Sequence, residues 1–453
     1  MFRKEARPAE IFAENAGEMG LDFYRVFDMM TLAALVGRQF LERMLDAMLR
    51  SYTGTRFCCY LGLVIQAVIN NLSPVLFIVY QEEFGISYFM ISLLVLVNFS
   101  TQLLVDLLSV RITRRLGYRS SVVLSQGLAA AGLVLLAIMP RLLPLHFLGL
   151  VIPTVIYAFG SGLIEVLVSP MIENLPLPNK SAQMSLLHSF YCWGQLVTVL
   201  VTTLLLHAFG HNGWIFIPLI WAVLPLFNML CFIKVPIVEG EKEEHASLGR
   251  LLRNRLFRTA LTIMLCAGAA ELAMSQWSSL FAEQSLGVSK VTGDLLGPCM
   301  FALFMGAGRL TYGFFGKYLN IYKCLVLCAA LCMAAYLITG LSSSPTLGLI
   351  GCALCGLAVS LMWPGAVSLS AGRIRGGGTA MFALLAVFGD LGCSFGPFLT
   401  GTVSDAVSGM ENFPLSPLNA GLLTGALFGL LMLILLLRLR KGEDNLSENV
   451  QNI

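Results

Sequence analysis

Residues 144–171 have the sequence PLHFLGLVIPTVIYAFGSGLIEVLVSPM, and this stretch decides the fold. It contains neither Lys nor Arg, and its one carboxylate is Glu165. About 20 apolar residues of α-helix are needed to cross the hydrocarbon core of a bilayer. The stretch therefore predicts a membrane-spanning helix that carries an acid within the membrane.

Eleven further stretches of this kind predict a polytopic membrane protein. The chain of 453 residues is 57% hydrophobic and 12% charged, which excludes a disordered chain and argues against a soluble enzyme. No separate soluble domain fits in the remainder, so we predict an all-α protein with twelve transmembrane helices. With 144–171 as the fourth, the predicted spans are 57–80, 88–110, 120–140, 183–208, 214–235, 257–282, 291–318, 322–341, 345–371, 377–404 and 417–437.

The positions of the basic residues predict the orientation. The loops after even-numbered spans and the span ends beside them, together with the C-terminal tail, contain eighteen Lys and Arg residues, whereas the opposite loops contain only Arg141 and Lys290. Because Lys and Arg favour the cytoplasmic side, both termini are expected in the cytoplasm, in a multi-pass protein of the plasma or inner membrane. The net charge of +3 gives no reason to expect a nucleic-acid partner.

The chain divides into five predicted regions. Residues 1–55 are a cytoplasmic extension whose apolar positions suit an amphipathic helix on the membrane face, although an extension without function is an equal alternative. Residues 56–235 and 257–438 are two six-helix halves, joined by a charged cytoplasmic linker at 236–256. Residues 439–453 are a cytoplasmic tail.

Two short sequence patterns recur in both halves and indicate that the halves arose by internal duplication. Ser169-Pro170 corresponds to Trp363-Pro364, and Phe190–Gly194 corresponds to Leu385–Gly389, at offsets of 194 and 195 residues. In transporters with parallel halves, the substrate site lies near the membrane midplane between the halves.

The loop after the second span resembles the signature of the major facilitator superfamily. The sequence Arg111-Ile-Thr-Arg-Arg-Leu-Gly-Tyr-Arg119 matches GxxxDRxGRR best at Arg115, Gly117 and Arg119, whereas Arg114 stands where the signature has Asp. A related element follows the eighth span at 308–317. The resemblance implies the major facilitator fold and a secondary transporter working by alternating access.

Within that superfamily the chain is most similar to the fucose/galactose/glucose:proton symporter group. Residues 160–170 resemble its GxGxxE....NP element, which implies a coupling role for Glu165, and Asn70-Asn71-Leu72 resembles the beginning of its NNLND element. Gly268-Ala-Ala-Glu271 resembles its span 7 opening. The Asp that closes NNLND, which the group uses in proton coupling, is replaced here by Pro74.

Ionisable residues inside the spans are the candidates for coupling and gating. A charged side chain at the bilayer centre costs about 2.5–3.5 kcal/mol, so these groups are expected to face a cavity or a partner. We assign proton coupling to Glu165, Glu271 and Asp390. The alternative for Glu165 is a salt bridge or a helix-terminal hydrogen bond near the inner end of the fourth span, and the alternative for Glu271 and Asp390 is interhelical pairing. We assign gating salt bridges to Asp106, Arg115, Arg119 and Arg309, with inert anchoring as the alternative.

Neutral polar and aromatic residues complete the predicted site. Amides can hydrogen-bond to hydroxyl groups, and Trp can stack on the face of a sugar, although a lone Trp is more often a packing residue or an interfacial anchor. The predicted substrate-binding residues are Asn70, Asn71, Gln195, Trp193, Gln276, Trp277 and Trp363.

These residues predict a proton-coupled symporter of a small hydrophilic solute such as a sugar, and a monomer in the lipid bilayer. The coupling ion is a proton or another cation. An exporter of amphipathic compounds is the alternative, and a channel or a sensor is not excluded by composition. No enzyme motif is visible, and the twelve cysteines lack nearby His, Asp or Glu clusters, so neither a cofactor nor a metal is expected.

Overall fold

The computed structural model describes residues 50–176, 180–238, 248–374 and 378–451. The predicted helix of the N-terminal extension, residues 239–247 of the charged linker and the last two residues lie outside these ranges. Among the described residues, twelve helices are long and apolar enough to cross a membrane, which confirms the predicted number of spans.

We number these helices α1 to α12 in chain order, leaving the short helix Leu248–Arg253 unnumbered. Nine are continuous helices in the same order as the predicted spans, and α6 is preceded by a 3₁₀ turn at His211–Gly213. The continuous helices and α6 are α1 Tyr52–Phe84, α2 Tyr88–Leu116, α3 Tyr118–Leu142, α4 His146–Asn174, α5 Lys180–Phe209, α6 Phe216–Lys234, α7 Arg255–Gln284, α9 Ile321–Leu341, α11 Gly378–Ser408 and α12 Pro417–Gln451.

Two spans are interrupted, which hydropathy did not predict. Helix α8 consists of Lys290–Asp294, a π turn at Leu295–Cys299 and Met300–Phe315. Helix α10 consists of Pro345–Val359 and Met362–Arg373, with a break at Ser360 and Leu361.

Polar residues outside the hydrophobic runs determine several helix ends. Ser87 caps α2 by accepting a hydrogen bond from the backbone N–H of Met90, and Asn254 caps α7 in the same way with Leu256. Gly117 separates α2 from α3 with a φ of +80°, which is a conformation that favours glycine. These signals keep successive helices antiparallel across short loops.

The helices form two halves of six, α1 to α6 and α7 to α12. In the first half α4 packs against α2 and α3, and in the second half α7, α11 and α12 pack against one another. Contacts of α2 with α11 and of α5 with α8 join the halves. The leading helices α1 and α7 are the most enclosed, with 94% and 72% of their most apolar windows buried, so both lie near the centre of the bundle.

Glycine allows α7 and α11 to approach closely beside the predicted site. A Cβ added at Gly392 of α11 would overlap the Leu265 carbonyl and lie 2.8 Å from the amide nitrogen of Ala269 on α7. Side chains are therefore excluded from this seam between α7 and α11.

Hydrogen bonds join the two halves at one end of the bundle. We call the end with the α1–α2 loop the outer end and the opposite end the inner end, after the orientation that the basic loops predict. At the outer end, Tyr88 donates to Gln284 (2.7 Å), and Gln284 donates to Gln81 (2.8 Å). The backbone N–H of Phe89 donates to Asp405 (3.1 Å). These contacts close the outer end of the bundle.

Candidate functional site

Asn70 is the centre of a polar network in the middle of the bundle. Its side-chain oxygen accepts hydrogen bonds from Asn98 (3.2 Å) and Gln102 (2.9 Å) of α2. Its amide nitrogen lies 3.4 Å from the Tyr191 hydroxyl of α5. Gln102 in turn accepts from Ser161 of α4 (3.2 Å). Asn70 is 4% exposed, so four helices of the first half fix its orientation.

Pro74 changes the backbone of α1 at this network. A proline has no N–H, so Pro74 cannot donate to the carbonyl of Asn70 four residues earlier. Gln276 of α7 takes the place of that donor, because its side-chain nitrogen lies 3.0 Å from the Asn70 carbonyl oxygen. The proline at the position of the group's coupling Asp thus produces an acceptor for the other half of the molecule.

A second chain of hydrogen bonds crosses between the halves beside the first. Gln195 of α5 donates to the Ser275 hydroxyl of α7 (2.8 Å), and Ser275 lies 3.5 Å from the side-chain oxygen of Asn71. All three residues are at most 4% exposed. The predicted binding residues Asn70, Asn71, Gln195 and Gln276 therefore lie in one connected region.

Three carboxyl groups from both halves lie together next to this region. Glu165 of α4 accepts a hydrogen bond of 2.5 Å from Gln66 of α1. Asp106 of α2 and Asp390 of α11 are within hydrogen-bonding reach of each other, and both interact electrostatically with Glu165. Two adjacent carboxylates repel each other when both are ionised, so a proton bound between Asp106 and Asp390 would stabilise their contact.

Arg309 of α8 is the centre of a separate cluster. Its guanidinium lies 3.5 Å from the Glu271 carboxylate of α7 and donates to the Ser360 carbonyl at the break in α10 (3.2 Å). It also donates to the Cys192 thiol of α5, in the other half (3.1 Å). The Arg309 side chain is 24% exposed and the Glu271 side chain is 10% exposed, so the pair is only partly shielded.

The remaining predicted residues do not join these clusters. Trp277 is fully buried and donates to the Pro397 carbonyl (3.0 Å), and the Trp363 ring packs over Gly389, so both contribute to helix packing. Trp193 is 37% exposed. Arg119 donates to the Phe232 and Ile233 carbonyls at the end of α6, within one half. Arg115 is exposed on α2.

Two of the four predicted gating residues lie in the two clusters. Asp106 contacts Asp390 and Arg309 contacts Glu271, so these two gating candidates each lie beside a predicted coupling residue. Their gating role remains a prediction.

Several polar residues of the site were absent from the sequence prediction. They are Gln66, Asn98, Gln102, Tyr191, Cys192 and Ser275. Helical spacing offered one signal, since Gln66 precedes Asn70 by four residues and Asn98 precedes Gln102 by four, which puts each pair on one helix face. Within the described ranges, no group of three His, Cys, Asp or Glu side chains is arranged to hold a metal ion.

A family model of the Major Facilitator Superfamily matches residues 57–397. The chain belongs to the major facilitator superfamily. The fold of this superfamily extends over most of the described residues and includes both clusters.

Solved structures of other superfamily members resemble the chain. The E. coli fucose:proton symporter is 18% identical with a TM-score of 0.60, over 85% of this chain and 98% of that one. A D-xylose-proton symporter is 14% identical with a TM-score of 0.67, over 85% and 97%. The nucleoside transporter NupG is 11% identical with a TM-score of 0.70, over 85% and 99%. At these identities the likeness concerns the fold. No curated protein sequence matches the chain.

Proposed function

We propose that this superfamily member is a proton-coupled symporter of a small, neutral, hydrophilic solute such as a sugar. The observation that carries the proposal is the proximity of Asp106 and Asp390, two carboxyl groups from different halves that lie beside a network of amides and can hold a proton between them. In such a contact, proton binding and the separation of the two halves would affect each other. Two solved relatives of the same fold are named as sugar:proton symporters.

The amide network supports a neutral, hydroxyl-bearing substrate. Side-chain amides donate and accept hydrogen bonds at the same time, as hydroxyl groups do. Asn70, Asn71, Gln195 and Gln276 bind one another across the halves in the closed outer arrangement. When the halves separate, a solute whose hydroxyl groups replace these hydrogen bonds would be bound by amides of both halves.

The charges near the network support coupling to protons. Asp106, Glu165 and Asp390 form an acidic cluster, whereas the one guanidinium, Arg309, is engaged by Glu271. Protons neutralise the cluster when the halves close on it, and opening toward water allows the carboxyls to ionise again. The excess of carboxyls also disfavours anionic substrates.

The contacts at the outer end support a state that is closed on that side. The outer end is closed by the contacts of Tyr88, Gln284 and Asp405. Glu165 and Asp390 are nevertheless partly exposed at mid-bundle. In the proposed orientation the closed end faces away from the cytoplasm, and the protein acts as a monomer in the plasma or inner membrane.

Purified protein in liposomes tests the proposal. We expect uptake of a labelled monosaccharide under an inward proton gradient, with alkalinisation outside and no requirement for ATP. Glu165→Gln should abolish accumulation above equilibrium but preserve exchange of labelled for unlabelled substrate. Glu411→Gln, at an exposed loop residue, is the matched control and should transport normally. If a panel of neutral sugars gives no gradient-dependent uptake, the sugar-symport proposal is wrong.

A further inference from the structure

Asp294 is a fully buried carboxylate near the outer end, in the first turn of α8. Its Oδ1 accepts hydrogen bonds from Ser279 of α7 (2.5 Å) and from Lys290 (3.0 Å). Lys290 also donates to the Ser279 hydroxyl (2.6 Å). The Oδ2 atom of Asp294 accepts a hydrogen bond from the Thr203 hydroxyl of α5 (2.7 Å). Both carboxylate oxygens are therefore satisfied without water.

The donors come from different halves of the molecule. Ser279 and Lys290 belong to the same half as Asp294 and can remain with it when the halves separate. Thr203 belongs to the first half. A buried ionised group that loses a hydrogen bond without replacement is strongly penalised, so the Thr203 contact favours the state in which the outer end is closed.

An apolar cluster lies next to this contact toward the middle of the bundle. Val75 of α1, Leu196 and Val199 of α5 and Cys299 of α8 pack together, and the first three belong to the half opposite to Cys299. Val199 precedes Thr203 by one helical turn, and Cys299 follows Asp294 across the π turn. The polar contact and the apolar cluster thus close the same seam between α5 and α8.

The π turn positions Asp294 for this contact. Pro298 lies within the turn and lacks the N–H that an α-helix would donate to the Asp294 carbonyl. A π turn adds one residue to the helix turn, and each residue of an α-helix corresponds to a rotation of about 100°. The wide turn therefore sets the direction of Asp294 relative to the rest of α8.

We propose that Asp294 acts as a latch, a residue whose hydrogen bond holds the outer end of the bundle closed. Its hydrogen bond with Thr203 must break before the outer end can open. The inference rests on the proposed alternating-access function. Asp294, Lys290, Ser279 and Thr203 contact none of the residues assigned above to substrate or proton binding, so this latch is separate from the coupling cluster.

The native Cys299 thiol is a reporter for opening at this seam. It is 5% exposed beneath the latch, so a membrane-impermeant thiol reagent added outside intact cells reaches it only when the outer end opens. Mass spectrometry of the peptide that contains Cys299 distinguishes its labelling from that of the other cysteines. The measurement uses the full chain and needs no substrate, so its outcome is independent of substrate identity.

Thr203→Val removes the hydroxyl with almost no change in shape. We expect it to speed Cys299 labelling about 10- to 100-fold, the factor that corresponds to one hydrogen bond to a charged group. Thr203→Ser, which keeps the hydroxyl, should label at the wild-type rate. Thr202→Val is the matched control, because Thr202 is equally buried but accepts from Trp221 within its own half (3.0 Å). It should leave the rate within about twofold of the wild type.

Asp294→Asn provides a second variant with the shape of the native side chain, and it should also speed labelling. Each variant is compared at equal amounts of monodisperse protein after extraction. Equal labelling rates in Thr203→Val and wild type, or an equal increase in Thr202→Val, would overturn the latch.

Discussion

The Asn70 carbonyl provides the sharpest test of the central network. Pro74 leaves this carbonyl without a helical donor, and Gln276 supplies one from the other half at 3.0 Å. Asn70 is only 4% exposed, so Gln276→Leu should leave its carbonyl oxygen buried without a hydrogen-bond donor. The expected cost is about 1–3 kcal/mol.

Pro74→Ala should cancel most of that cost, because alanine restores the backbone N–H that bonds to the Asn70 carbonyl. We expect Gln276→Leu to cost about 0.5 kcal/mol or less in the Pro74→Ala background. The difference between the two backgrounds is an interaction energy of about 1–2 kcal/mol for two residues that join through one oxygen atom.

Thermal unfolding in one detergent, at one scan rate, measures the cycle. With an unfolding entropy of about 2.1 cal/mol/K per residue, a chain of 453 residues shifts by about 1 °C per kcal/mol. We expect Gln276→Leu to lower the Tm by about 1–3 °C, and the double variant to match Pro74→Ala. Equal decreases in both backgrounds would refute the inference that Pro74 creates the acceptor for Gln276.

Two further predictions concern α11. Asp390→Asn should retain a hydrogen bond to Asp106 but remove the need for the shared proton, so transport in liposomes should lose the roughly 100-fold accumulation that a difference of about 2 pH units can drive, while substrate exchange continues. Proton-driven accumulation equal to that of the wild type would remove Asp390 from coupling. Gly392→Ala should force α7 and α11 apart and lower the Tm and the yield of monodisperse protein, whereas Gly313→Ala, which meets nothing within 4 Å, should not. Equal behaviour of the two variants would contradict the close packing at Gly392.

The number and order of the helices followed from the sequence because the bilayer imposes a length and an apolar composition on each span. The interruption of α8 did not, since Pro298 resembles the prolines within the continuous helices α1 and α4 until its neighbours are known. Hydropathy measures how apolar a segment is and carries no information on hydrogen-bond register.

The candidate site was predicted in its charged members and missed in many of its neutral ones. Glu165 and Asp390 stand out because an ion within a membrane span is costly. Gln66 and Gln102 carry no such signal, since an amide is tolerated wherever it finds a partner. The depth of Asp106 along its helix led us to group it with Arg309 as a gating residue. In the structure α2 packs against α11, and Asp106 therefore lies beside Asp390 instead.

Pro74 removes the coupling carboxylate from α1, the helix that also carries the predicted substrate-binding residues Asn70 and Asn71. A carboxylate at this position would place the coupling charge on the helix that also presents Asn70 and Asn71. Here α1 offers only uncharged groups to the network, and the three acids of the carboxyl cluster lie on α2, α4 and α11. In the proposed symporter, changes of preference among solutes can therefore arise by exchanging amides on α1 and α7 without altering the number of protons carried per cycle.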